Sequence, residues 1–250
     1  MNNLIASFKK IPLWRYITAG VLLLGLCYES CYFYSDANIQ STYQDMLLST
    51  SNSVFNLNFI FLLLIADLGF DAHKTGKPGQ PFRSFRSHIS FAFVLCLLFV
   101  LWLAICTLFA MLLNTDTVTF SDTLTNNALY GLEWIDASFA SAANLVLVCL
   151  SLLFCAAVVF TVNNRCKNKP MGYLGLLAIS TLDVTVFTLL FDYQTGFFPA
   201  EYENVRTALR VTPNVPLSIA VSVLYWFALI AVTGLIYYFT NNRSKGGQMI

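Results

Sequence analysis

Charge is scarce in this sequence. Only 11% of its 250 residues are charged while 57% are hydrophobic, and the mean hydropathy is +0.67. Soluble domains carry about 25% charged residues, so a water-soluble fold is not expected. Histidine is rarer still: His73 and His88 are the whole supply, which leaves no general base for a membrane-embedded hydrolase. The chain lacks a Gly-x-x-x-x-Gly-Lys-Ser/Thr phosphate loop, so it is not expected to bind ATP in the usual way by itself. It also lacks a His-Glu-x-x-His zinc motif and a Gly-x-Ser-x-Gly nucleophile turn. Catalysis is therefore not expected. There is no low-complexity segment, no clear internal repeat and no paired Gly/Pro interruption of the kind that marks repeat-built secondary transporters.

An extracellular disulfide framework is not expected either. Six of the seven cysteines (Cys27, Cys31, Cys96, Cys106, Cys149, Cys155) fall inside predicted helices and Cys166 falls in a cytoplasmic loop, so no extracellular framework forms. Cys27 and Cys31 stand one helical turn apart and could oxidise or hold a metal, but no histidine accompanies them, and apolar packing is the plainer reading. No metal site is expected.

What the sequence does have is long apolar runs. A hydrocarbon core about 30 Å thick needs roughly 20 apolar residues per helix. Six stretches qualify: Leu13 to Tyr34, Ser53 to Phe70, Ile89 to Leu113, Ala137 to Val162, Met171 to Phe191 and Pro213 to Thr240. The expected fold is all-α, a polytopic membrane protein of six transmembrane helices in one permease-like domain over residues 1–250. Residues 1–12 form an interfacial elbow, 13–240 the six spans and 241–250 a cytoplasmic tail. No cleavable signal peptide is expected, because the first run is flanked like a spanning helix and no small-residue cleavage motif follows.

The basic residues orient these spans, since Lys and Arg mark the cytoplasmic side. Lys9, Lys10 and Arg15 precede the first span. Lys74, Lys77, Arg83 and Arg86 separate the second from the third, Arg165, Lys167 and Lys169 the fourth from the fifth, and Arg243 and Lys245 follow the sixth. Only Arg206 and Arg210 lie in the alternate loops, which carry Asp36, Asp45, Asp116, Asp122, Glu133, Asp192, Glu201 and Glu203. Both termini are thus expected in the cytoplasm of a cell-membrane protein.

Four segments depart from plain apolar sequence. Leu4, Ile5, Phe8 and Ile11 recur at helical spacing, which predicts a short interfacial helix ended by Pro12; the alternative is a frayed basic terminus. Asp71 to His88 is the most polar internal stretch, turn-rich at Gly76, Pro78, Gly79 and Pro81 and then basic and aromatic at Phe82, Arg83, Phe85 and Arg86. It reads equally as a partner-docking loop and as a solvated loop that sets topology. Before the sixth span, Phe197, Phe198 and Pro199 precede a helix-compatible run from Ala200 to Arg210 that suits a helix lying in or dipping into the outer leaflet. The fourth span opens with Ala137, Ser138, Ala140, Ser141, Ala142 and Ala143, a small-residue surface suited to tight helix packing or a subunit contact.

Ionisable groups inside the membrane are expensive and are candidates for mechanism. Asp183 lies mid-span beside Ser180, Thr181 and Thr185, Glu29 lies near the outer end of the first span, and Asp67 near the inner end of the second. Each reads as a cargo-contacting or proton-linked carboxylate, or as a polar packing contact. Asn56, Asn58 and Asn144 are polar residues of the same kind. The candidate cargo pathway is Glu29, Asn58, Asn144 and Asp183.

Taken together, these parts resemble the short permease subunits of the ABC type-2 exporter family over nearly the whole chain. In that family the connection between spans two and three carries a coupling helix that fits a groove on a separate ATPase. Ala66-Asp67-Leu68-Gly69-Phe70-Asp71, then Lys74-Thr75-Gly76, Arg83 and Arg86, look similar in layout, with the Thr-Gly order and Pro78 and Pro81 as departures. The resemblance implies ATPase docking through Asp71, Lys74, Phe82, Arg83, Phe85 and Arg86. It implies a homodimer or heterodimer of permeases in membrane lipid, paired with ATP-binding cassette subunits that hold the ATP and Mg. This chain would bind no cofactor and no nucleic acid, and an amphiphilic cargo, a peptide first, would be expelled. The competing readings are an ATP-independent secondary transporter or channel, and a membrane immunity or scaffold protein.

Overall fold

The computed structural model describes residues 7–36, 42–68, 81–115, 118–120, 136–165 and 214–246, together with 174–175, 177–178, 199, 202, 205, 207 and 208. Six helices are defined among them: α1 (Leu13–Asp36), α2 (Tyr43–Ser51), α3 (Val54–Ile65), α4 (Pro81–Thr115), α5 (Ala137–Arg165) and α6 (Val215–Gly246). The described residues contain no β-strand. Three helices are long and apolar enough to cross a membrane, α4, α5 and α6, and the bent pair α2 and α3 makes a fourth if it counts as one span. The predicted fifth span, Met171 to Phe191, lies almost wholly outside the described residues.

The middle of the bundle belongs to α5. In its most apolar stretch 78% of the residues are buried, against 39% in α4 and 22% in α6. α5 packs on α3, α4 and α6 at once, while α1 lies against α4 and α3. α1 turns one narrow stripe inward, Ala19, Leu23, Cys27 and Cys31 at four-residue spacing, and leaves Leu13, Ile17, Val21 and Tyr32 exposed. Leu97, Leu98, Leu101, Ile105 and Phe109 on α4, and Leu224, Phe227, Ile236 and Phe239 on α6, also point outward. In water such a belt would drive aggregation; in hydrocarbon it is the required exterior.

Since lipid tails are as apolar as leucine, close packing and polar contacts decide how such helices associate. Gly20 shows the first: a Cβ there would collide with the indole of Trp102, so the missing side chain lets α4 lay its ring on the backbone of α1. Ala137, Ala140 and Ala143 show it again, buried with Leu48, Val205, Val215 and Trp226. Of the small-residue surface predicted at the start of the fourth span, Ala137, Ala140, Ser141 and Ala143 therefore pack within the chain, while Ser138 and Ala142 are exposed.

The second span differs from expectation. Rather than one helix from Ser53, helix begins at Tyr43, in the segment predicted as an outer loop, and bends by 70° between α2 and α3. Its start is a capping box: Thr42 accepts from the Asp45 backbone, and the Asp45 carboxylate accepts from the Thr42 N–H at 3.0 Å. Its end is a run of short polar side chains. Thr50 Oγ1 donates to Met46 O at 2.8 Å and Ser51 Oγ to Leu48 O at 3.0 Å, competing with the backbone ladder just before Asn52 and Ser53 close the helix.

The third span also begins early. The back half of the predicted polar loop is the opening of α4, with Pro81 at the first helical position, where its missing N–H costs nothing. Of the predicted elbow, residues 7–10 form one helical turn whose Phe8 packs edge-on against Phe91, ring centroids 5.0 Å apart. Residues 1–6 lie outside the described set.

Candidate functional site

A ladder of polar contacts fastens the bent span to α5 along its whole length. Ser141 Oγ donates to Gln44 O at 3.2 Å, Asn144 reaches the bend, Asn58 Nδ2 donates to Ser151 Oγ at 3.5 Å, and Asn163 Nδ2 donates to Ala66 O at 2.8 Å and Leu68 O at 3.1 Å. The α5 members, Ser141, Asn144, Ser151 and Asn163, follow one another at steps that are sums of three and four residues, so they share one face. Asn163 thereby satisfies carbonyls at the end of α3 that have no partner within that helix.

Asn144 is the hub. It is fully buried, and its Nδ2 donates to Ser51 Oγ at 2.6 Å and Asn52 Oδ1 at 3.2 Å, while its Oδ1 accepts from the Val205 N–H at 3.0 Å. Both amide hydrogens and the carbonyl are engaged. Three separate pieces of chain, the α2–α3 bend, α5 and the segment around Val205, meet on one side chain.

The segment through Pro199, Tyr202, Val205 and Ala208 is held at a second point, where Trp226 Nε1 donates to Tyr202 O at 3.0 Å. Trp226 is the twelfth residue of α6, so this anchor lies about 16 Å along that helix at 1.5 Å per residue. Tyr202, Val205 and Ala208 are all buried. Tyr202 and Val205, in the run expected to lie in or dip into the outer leaflet, thus bond to α6 and α5 respectively.

At the opposite end of the bundle Arg15 pairs with Asp67 at 2.8 Å, tying the start of α1 to the end of α3. Here α4 begins. Phe85 packs against Phe160 and Tyr237 with centroids 5.7 and 5.4 Å away, and its ring lies 3.1 Å from where a Cβ on Gly234 would stand. His88 stacks on Phe160 at 4.2 Å and its Nδ1 meets Ser84 O at 2.8 Å. Arg86, between them, is exposed.

The residues predicted as a cargo pathway are therefore only partly brought together. Asn58 and Asn144 share the α5 interface, whereas Glu29 is exposed on the face of α1 away from its buried stripe. Asp183 lies outside the described residues. Asn58 Oδ1 is buried without a partner among the described residues, as are Asn163 Oδ1 and Ser218 Oγ. Of the predicted docking residues, Asp71 and Lys74 lie outside the described set, as do the side chains of Phe82 and Arg83; Phe85 commits its ring inside the bundle, and Arg86 faces outward. Cys27 Sγ lies 3.6 Å from Thr107 Oγ1, and no three metal-ligating side chains gather among the described residues.

Sequence reasoning passed over Ser51, Ser151, Asn163, Tyr202 and Trp226. The one local signal was the Thr42-x-x-Asp45 capping pattern, which announces a helix two turns before the bend. Set against known proteins, the chain matches no family model and no curated sequence.

Proposed function

We propose that this chain is the membrane-spanning permease subunit of an ATP-driven exporter, with six spans and both termini in the cytoplasm, moving an amphiphilic cargo with a separate ATPase. A peptide is the first cargo to test. The observation that carries the reading is the start of α4. A basic helical end projects Arg86 outward while Phe85 and His88 on either side of it are clamped to Phe160 and Tyr237. A docking surface has to transmit force, and this clamp couples the exposed turn rigidly to α5 and α6. The segment from Tyr202 to Ala208, pinned to Asn144 and Trp226 at the far end of the same two helices, is the natural receiver of such a push.

The test is a mild-detergent pull-down of the tagged chain, with an ATPase assay of the eluate, repeated for Arg83→Glu and Arg86→Glu. Recovery of a stoichiometric ATPase that the charge reversals abolish supports the permease. A chain that elutes alone and inert sinks it.

A second reading is an ATP-independent transporter or channel. It is favoured by the bend at Ser51 to Ser53 and by the Asn58 carbonyl further along α3, which has no partner among the described residues, since broken helices form ion and substrate sites in such proteins. Solute flux into liposomes holding the purified chain alone is its test.

A further inference from the structure

An apolar groove of about 200 Å³ opens between the 7–10 turn, α1, α3 and α4, lined by Phe8, Tyr16, Leu64, Leu95, Phe99 and Trp102. Its lining offers no polar contact to an occupant: the Tyr16 hydroxyl is turned to Phe8 O at 3.2 Å, and Trp102 rests on the backbone at Gly20. Leu98 forms its outer lip and is half exposed, so the groove opens sideways into the lipid-facing surface of α4.

Size limits what fits. The groove is smaller than the roughly 300–1,000 Å³ of sites for drug-sized molecules, and larger than the roughly 150 Å³ apolar cavity that accepts a benzene ring. One alkyl chain, entered over part of its length, matches both the volume and the lack of polar partners.

Charge identifies the rest of the occupant. The turn that contributes Phe8 carries Lys9 and Lys10, both exposed, whereas Arg15 at the same end of the groove is already paired with Asp67. We propose that this groove is a binding site for one anionic phospholipid, its acyl chain along Tyr16, Leu95 and Trp102 and its phosphate against Lys9 and Lys10. The lipid would complete the junction between the N-terminal turn and the bundle, where Phe8 meets Phe91 of α4 edge-on.

Native mass spectrometry of the detergent-released full chain, with equimolar phosphatidylglycerol and phosphatidylcholine of the same acyl chains, tests this. One phosphatidylglycerol should be retained per chain, about tenfold or more over phosphatidylcholine, since each basic residue near an anionic surface strengthens attachment roughly fivefold. Lys9→Glu with Lys10→Glu should bring the two lipids to parity, and Leu98→Trp, which covers the mouth without entering the core, should reduce retention of both. Equal retention of the two lipids by the unaltered chain, or unchanged preference in the lysine variant, overturns the headgroup assignment. Unchanged retention in Leu98→Trp overturns the groove. A second measurement compares the fluorescence quenching of the unaltered chain and of Trp102→Phe by acyl-brominated phosphatidylglycerol in nanodiscs. Quenching that persists undiminished when Trp102→Phe removes the groove's indole places the lipid elsewhere.

Discussion

Asn144 Nδ2 donates to Ser51 Oγ at 2.6 Å, joining the central helix of the bundle to the last turn of α2 at the point where the second span bends. The same amide bonds to Asn52 and accepts from Val205. A bend that would leave polar groups unmet in hydrocarbon is thereby closed by one side chain.

Asn144→Leu should therefore be costly despite preserving apolar bulk. It strands Asn52 Oδ1 and the Val205 N–H, while Ser51 Oγ keeps its bond to Leu48 O; a buried unsatisfied group costs about 1–3 kcal/mol, although membrane helix contacts average nearer about 0.6. A loss of about 1–3 kcal/mol is expected by unfolding in mixed micelles of rising dodecyl sulfate. A variant as stable as the parent would show that the hub carries no load.

The two glycines of α1 should respond oppositely to alanine. Gly20→Ala drives a methyl into the Trp102 ring and should destabilise by about 1–3 kcal/mol, as overpacking does. Gly25 has nothing within 4 Å of its added Cβ, and Gly25→Ala should be neutral or stabilise by up to about 1 kcal/mol through helix propensity. Gly20→Ala combined with Trp102→Leu should recover stability; failure to recover would mean that the glycine serves something other than that ring.

The Arg15–Asp67 pair is well formed at 2.8 Å, but Asp67 is 38% exposed. A double-mutant cycle with Arg15→Ala and Asp67→Asn should give a coupling of no more than about 1 kcal/mol that shrinks as salt rises. Coupling of several kcal/mol, insensitive to salt, would require that lipid seal the pair from water.

Thiol chemistry checks the packing of the interior. Cys27, Cys31, Cys96, Cys106, Cys149 and Cys155 are all buried. With Cys166→Ser in place, a water-soluble maleimide should leave the native chain unlabelled over minutes and modify all of these thiols after denaturation in dodecyl sulfate. Rapid native labelling of Cys27 or Cys31 would contradict the placement of α1 against α4.

Much of the helical framework could be read from local sequence. The fourth span was expected from Ala137 and α5 begins there; the sixth was expected from Pro213 and α6 begins at Val215. The helix starts that were missed have local causes in hindsight, the Thr42 capping box for α2 and Pro81 at the first position of α4. Neither stands out in a search for apolar runs, because each lies among polar residues. Of the polar residues in apolar runs, Asn58 and Asn144 are buried and Asn56 is exposed; what each touches was not legible.

The sequence alone determined that this chain makes long apolar helices, because the demand of hydrocarbon for internally satisfied backbone acts on each stretch separately. It also pointed to Ala137, Ala140 and Ala143 as candidates for close approach, but not to Gly20. Only the tertiary structure decided where the chain bends between α2 and α3, which side chains close the bend, and that Val205 and Tyr202 bond to α5 and α6. The reason is range: Asn144 and Ser51 are 93 positions apart and Val205 lies 61 beyond Asn144, so the partners that give these residues meaning are absent from any local window.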